Sequence, residues 1–341
     1  MNWRLRALIF DCGIFGFLIG VLAKTVFGKV IEAESLNMAN CAAAVGASLF
    51  LGALTTLLLW RLKFKTLGET IFGRPLPGEE ARSWYRTFWG LQLSVAFLTT
   101  FTLGSKATHF SLHELLSEDG FGGAVRIFYS LTHPNWDVLP EGILAIVETI
   151  FIAFMATVFA VPVAFVMSFF CAKNLMGTTK VGAVIYRVLR TLLNFTRAVE
   201  PLIWAIVFSV WVGIGPFAGM LALMLHSTAS LTKHYSEMIE CASEGPVEGI
   251  KATGANFIQI VWFAIVPQVV LPYVSFTIDR WDINVRMATV IGLVGGGGIG
   301  TMLIQYQGQA QWHEVGTLVL LIALVVWAMD TASAYIREAI K

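Results

Sequence analysis

Long apolar runs dominate the chain, near residues 8–27, 39–60, 88–104, 143–171, 202–231, 257–278 and 315–334, with short polar stretches between them. Such runs predict bilayer-crossing helices, since about 20 residues rising roughly 1.5 Å each cover ~30 Å of hydrocarbon. The 202–231 run is too long for one crossing, and Gly213-Ile214-Gly215-Pro216 predicts a tight turn that cuts it in two. About eight spans result, and the expected fold class is all-α, a polytopic membrane protein. The internal repeat that marks many secondary transporters is not visible.

Composition agrees. With 57% hydrophobic residues, 13% charged and a mean hydropathy of +0.73, the chain does not carry a soluble surface. If the amino terminus is cytoplasmic, 17 of the 23 Lys and Arg fall on the cytoplasmic side. The other six, Lys24, Lys29, Lys106, Arg126, Arg280 and Arg286, then fall outside. Positive loops stay inside, so both termini are expected in the cytoplasm. A net charge of +1, with basic residues scattered over loops, excludes a nucleic-acid stripe. The four cysteines form no secreted framework, and no disulfide is expected. The first apolar run lacks a small-residue cleavage site and is read as a retained span. Residues 105–142, which gather His109, His113, Glu114, Glu118, Asp119, His133 and Pro134, divide three spans from five. Residues 61–87 read as a solvated linker with a turn at 73–77.

One polar stretch interrupts the second half. In ECASEGPVEGIKATGANFIQIVWFAIVP, residues 240–267, Glu248 precedes Gly254 by six positions and Gly254 precedes Pro267 by thirteen. This spacing resembles the cytoplasmic coupling loop of ATP-binding-cassette importer permeases, E-A-A-x3-G-x9-I-x-L-P, with departures at Gly249, Ile250, Ala264 and Val266. Further blocks extend the resemblance over about 122–303 to the phosphonate and phosphite branch of these permeases. They include Leu139-Pro-Glu-Gly through Glu148-Thr149, Gly213-Ile-Gly-Pro-Phe-Ala-Gly219, Leu221 to His226-Ser227, Arg280-Trp-Asp-Ile-Asn284-Val-Arg286, and Gly292 to Gly300. Glu200-Pro201 and Gly296 depart from the family pattern, and residues 1–60 lie outside it.

The resemblance implies a type I importer permease core of five spans over 143–336, preceded by a three-span extension, 1–104, and an extracytoplasmic loop, 105–142. It implies a bacterial inner-membrane location, a second permease copy, most simply identical, an extracytoplasmic solute-binding protein, and an ATPase subunit dimer that binds the ATP. The permease itself would hold no cofactor and no metal and would do no catalysis. Glu240, Glu244 and Glu248, four apart along one side of a short helix, would dock on the ATPase, with Gly254 allowing a sharp exit and Pro267 starting or kinking the next span. The implied cargo is phosphonate, phosphite or a related phosphorus oxyanion. Methionine or another small solute is the alternative within the class, and an ion-coupled secondary transporter the alternative outside it.

The residues themselves permit fewer conclusions. No G-x4-G-K-[ST] phosphate cradle occurs. Gly295-x-Gly297-x-x-Gly300 matches a dinucleotide fingerprint formally, but without a βαβ context it reads as a close helix approach or a turn lining the pathway. Arg280, Asp282 and Arg286 are expected near the outer end of a span, where Arg280 or Arg286 either binds an anion or pairs with an acid. Asn284 lies between them. His226 is either polarising cargo or satisfying a neighbour. Glu148, Glu200 and Asp11 are placed at membrane interfaces. His109 and His113 have zinc-compatible spacing on a helix but lack a third ligand, and a solvated loop is the simpler reading.

Overall fold

The computed structural model describes residues 3–31, 38–73, 83, 85, 87–177 and 179–340, and among these every extended regular element is a helix. Apart from Gly73, the turn expected at 73–77 lies outside the described residues, as do Arg74, Arg82 and Arg86 of the basic linker. The chain divides after Gly120 into two compact units, inside the loop expected to separate extension from core.

The first unit is built on α1 (Trp3–Ile31) and α2 (Met38–Arg61), followed by α3 (Leu67–Phe72), α4 (Phe88–Ala107) and α5 (Leu112–Leu116). Gly52 presses on the α1 backbone: a Cβ there would meet Cys12 O and Gly16 N, both at 2.6 Å. Small residues allow such contact, which replaces hydrophobic exclusion as the glue between helices in lipid. Asp11, expected at the inner edge of the first span, is fully buried among its neighbours. Its Oδ2 accepts from Thr66 Oγ1 (2.6 Å) and its Oδ1 from Gly68 N (2.8 Å) and Gln92 Nε2 (3.2 Å). Gln92 Oε1 in turn accepts from Leu67 N at 3.0 Å. The carboxylate thus caps the first turn of α3, where free N–H groups and the helix dipole favour a negative charge. Asp11→Asn keeps the shape but replaces one acceptor by a donor, so the full chain should lose about 1–3 kcal/mol, read as a lowered melting temperature in detergent. His109 lies in a left-handed turn (φ 51°) before α5, so His109 and His113 do not share a helix face. Among the described residues no group of three or more His, Cys, Asp or Glu side chains could hold a metal.

The second unit is a helical bundle. Its long rods are α7 (Leu139–Phe170), α11 (Pro216–Glu240), α14 (Val266–Gly292) and α16 (Trp312–Ile340). Shorter helices join them: α6 (Glu118–Thr132), which straddles the division, then α8 (Lys173–Met176), α9 (Lys180–Ala198), α10 (Pro201–Val212), α12 (Glu244–Ala252), α13 (Phe257–Ile260) and α15 (Ile299–Gly308). Ala153, Ala156, Ala160 and Ala164 recur at helical spacing on α7 and are fully buried, forming the stripe along which α11 and α14 approach. The opposite face of α7 exposes Phe151, Phe159, Val163 and Val166, as lipid-facing positions require.

Among the described residues, five helical segments are long and apolar enough to cross a membrane: Trp3–Ala23, Ala43–Arg61, Trp136–Phe170, Phe257–Gly292 and Trp312–Ile340. A sixth would be α9 with α10, but that pair is bent by 93°. The bend follows from Glu200-Pro201: the residue before a proline is steered to extended backbone (φ −61°, ψ 140°), and Pro201 then opens α10 where its missing N–H costs nothing. Gly213 to Gly215 do separate α10 from α11 as expected, yet α10 has only 12 residues, about 18 Å at helical rise, well short of ~30 Å. By length and composition the described residues thus supply five crossings, or six with the bent pair, of the eight expected.

Candidate functional site

At one end of the second unit α7, α11 and α16 finish and α12 to α14 begin. α11 ends at Glu240, and Cys241 to Ser243 break the helix before α12 starts. Glu240 is consequently not on the α12 face, contrary to the four-residue spacing. Its Oε1 accepts from Arg190 Nη1 (3.0 Å) and from Lys173 N (2.9 Å), tying α11 to α8 and α9. With both partners about a quarter exposed, the ion pair contributes about 1 kcal/mol or less. Glu244 and Glu248 are exposed on α12, while Val247 packs inward against the cluster of Tyr235, Ile239 and Ile265. Glu244 in the first turn and Lys251 in the last both complement the helix dipole.

Gly254 has φ +81°, and a Cβ on it would meet no atom within 4 Å. The turn needs glycine for its backbone conformation, and the space beyond is open. Asn256 then caps α13, its Oδ1 accepting from Gln259 N (3.0 Å). From Phe257 the helix is continuous through one π turn, Val261–Ile265, into α14. Pro267 thus does not start a span. It sits inside the helix just after the widened turn, which absorbs the donor and the space that a proline takes away. Gln268 accepts from Ser243 N (2.9 Å) and donates to Ala264 O (2.7 Å), joining the two roots of α12. Below it Tyr235 and Tyr273 stack with centroids 3.8 Å apart, Tyr273 Oη donating to Tyr235 O (3.0 Å) and Tyr235 Oη meeting Thr277 Oγ1 (2.5 Å).

The second candidate group lies deeper. Asn284 is buried and satisfied on both sides, its Oδ1 accepting from Ser227 Oγ and its Nδ2 donating to Thr157 Oγ1, each at 2.9 Å. It ties α7, α11 and α14 together. Thr157 is about 27 Å along α7 from Leu139 at helical rise, so Asn284 and Arg280 are not near the far end of the bundle. Asp279 confirms this level by binding Arg337 in the last turns of α16. The expected outer-end position of Arg280, Asp282 and Arg286 is therefore wrong: they are mid-helix, in the half of the bundle that carries α12. Arg286 is neutralised by Asp282 Oδ2 (2.5 Å) and Asp330 Oδ1 (3.0 Å). Arg280 is 8% exposed and, among the described residues, donates to Ser230 Oγ and pairs with no carboxylate. His226, one turn from Ser230 on α11, has a buried Nδ1 without a partner.

Gly295 and Gly297 belong to a packing joint at the opposite end. Gly297 (φ +81°) lies on Pro216, where a Cβ would be 2.6 Å from Cγ and 2.9 Å from Cα, and Gly295 lies on Ile214. Gly292 and Gly300 cross backbone to backbone, and Thr149 Oγ1 accepts from Ile299 N at 2.9 Å. Of the two readings of this glycine run, close helix approach is the one the contacts match.

The profile of the family described as binding-protein-dependent transport system inner membrane component matches residues 164–341, which contain α11 to α16 and every residue of the α12 turn. The chain belongs to this family. This permease is 35% identical over 208 residues to a phosphite transport system permease protein of Stutzerimonas stutzeri, covering 61% of the permease and 74% of that protein. It is 29% identical over 216 residues to a phosphate-import permease protein of Mycolicibacterium smegmatis, covering 63% of the permease and 40% of that protein. Among solved structures it resembles an inward-facing MetNI methionine transporter with a TM-score of 0.54 and 20% identity, over 61% of the permease and 99% of that chain. At that identity the likeness concerns the fold. The permease is thus a multi-pass inner-membrane transport component, not an enzyme.

Sequence reasoning missed Arg190, Ser230, Tyr235, Tyr273 and Gln268. Each acts through a partner at least 25 residues away, a distance over which periodicity carries no signal.

Proposed function

We propose that the permease carries phosphite, phosphonate or a related phosphorus oxyanion into the cytoplasm in an ATP-driven importer. The observation that carries this is α12, a short helix with exposed Glu244 and Glu248, held between the roots of two long helices inside the family match. The phosphite permease relative supports the cargo. An ATPase subunit, which binds the ATP, docks on α12. Each chain offers one such helix, so two copies, most simply identical, serve a two-subunit ATPase, and an extracytoplasmic binding protein delivers cargo at the far face. Alternating access follows when ATPase closure swings the bundle. Both termini and α12 face the cytoplasm.

Reconstitution tests the reading. Proteoliposomes holding the permease, its ATPase and its binding protein should accumulate labelled phosphite or methylphosphonate only with ATP and all three components. Uptake without an ATPase subunit would overturn it.

Orientation has its own test through two cysteines. Cys241 is exposed beside α12, whereas burial pushes the Cys171 thiol up to about 11 and holds it in the core. The thiolate is the reactive form, so at pH 7 to 8.5 Cys171 should stay inert. With Cys12 and Cys41 changed to Ser, an impermeant maleimide should label Cys241 in inside-out vesicles. Labelling in right-side-out vesicles would reverse the topology.

A further inference from the structure

A phosphorus oxyanion crossing this bundle leaves water and must meet hydrogen-bond donors or positive charge on the way. Two arginines lie at the right depth on α14, and the structure separates them. Arg286 is half exposed and already held by two carboxylates. Arg280 is buried, and its nearest acid along the helix, Asp279, is engaged with Arg337 of α16. The guanidinium has five N–H donors, and among the described residues its one hydrogen-bond partner is the Ser230 hydroxyl. A buried cation with no counter-charge is costly, and the cost is removed when an anion arrives.

The surroundings carry the same sign. The charge of Arg280 reaches His226 and His234, and that of Arg197 on α9 reaches Arg280. The acids within reach are Asp279, committed to Arg337, Glu237, beside Lys233 and His234, and Glu200 at the start of α10. His226, Ser230 and His234 recur every four residues on α11, so they share one face, and Ser230 of that face touches Arg280. The His226 ring reaches the backbone of Val199 and leaves its Nδ1 buried and unpartnered.

We propose that Arg280, with Ser230 and His226, forms the anion-holding station of the translocation pathway, taking a tetrahedral phosphorus oxyanion in the half of the bundle nearer α12. The guanidinium grips two oxygens side by side, a geometry that a lysine cannot reproduce. Ser230 accepts from the guanidinium, which orients it, and its own hydroxyl proton is left to donate to the arriving cargo. His226, whose other ring nitrogen is turned to the backbone of Val199, offers Nδ1 at the rim as an acceptor for a P–OH proton of the cargo.

This rests on the phosphorus-oxyanion reading above, and the test separates the two. The complete transporter is reconstituted as wild type, Arg280→Gln, Arg280→Lys, Ser230→Ala and Arg286→Gln, and uptake of methylphosphonate and phosphite is measured. Melting of the detergent-purified permease–ATPase complex is then followed against methylphosphonate, sulfate and methionine. Arg280→Gln should lose about 30-fold or more in uptake, the scale for removing one side of a buried charge contact. It should also lose the saturable rise in melting temperature that methylphosphonate gives to wild type. Arg286→Gln should keep that rise, and methionine should give none. If Arg280→Gln does not assemble, Arg280→Lys and Ser230→Ala decide, each expected to need several-fold more methylphosphonate for half-maximal stabilisation. Wild-type cargo dependence in the Arg280 variants overturns the station and leaves the importer standing. Wild-type vesicles that take up no phosphorus oxyanion overturn both.

Discussion

Replacing Gly254 with tryptophan should stop ATP-driven uptake while the permease still inserts and remains folded. The φ of +81° makes any other residue costly by about 1–2 kcal/mol, which a bundle of this size survives. A Cβ at Gly254 would meet no atom within 4 Å, so the bulk is expected to act on whatever approaches α12 from outside. Blocking the centre of such a contact removes at least ~2 kcal/mol of binding, or about 30-fold in association. Gly254→Asn separates shape from bulk, because asparagine tolerates the left-handed region. It should keep most uptake. Co-purification of the ATPase with each variant, together with uptake, checks the expectation. Equal loss in both variants would move the cause into the turn, and full uptake with tryptophan would remove α12 from the coupling role.

The second large effect is on assembly. Gly292→Val should cost about 3 kcal/mol or more and sharply lower the yield of monodisperse protein. A Cβ at this position would meet Gly297 O and Gly300 Cα at 2.7 Å and Gly300 N at 2.9 Å, all backbone atoms with no rotamer to yield. Gly249 on α12, where a Cβ would meet nothing within 4 Å, is the matched control. Gly249→Ala should leave the melting temperature within about 0.5 kcal/mol of wild type. Melting of both variants in the same detergent checks the contrast. A Gly292→Val protein as stable as wild type would mean that α14 and α15 do not cross as described.

Much of the fold was legible because lipid imposes strong rules. Apolar length located α1, α2, α7, α14 and α16, and glycine with proline located the break before α11. The α12 turn was legible through the spacing it shares with importer permeases, in which Gly254 marks the left-handed exit. Depth was not legible. Hydropathy marks where a helix is greasy, not where the bilayer begins, and Phe257–Gly292 at 36 residues is longer than any bilayer needs. Arg280 was therefore placed near an end of its helix when it lies in the middle. Partnership was equally hidden: Glu240 fits the spacing of Glu244 and Glu248, yet its charge is used by Arg190, 50 residues upstream. Arg280 and Arg286 look alike in sequence, and only the carboxylates around one of them tell them apart.

The stacked Tyr235 and Tyr273 rings, together with the Gln268 bridge, constrain how the machine can move. The two stems of α12 are riveted to each other by these contacts, which oppose prying them apart like scissors. On the proposed coupling role, a push on α12 would then turn the stem pair as one crank, and opening at the distant mouth would be geared to the angle of that crank.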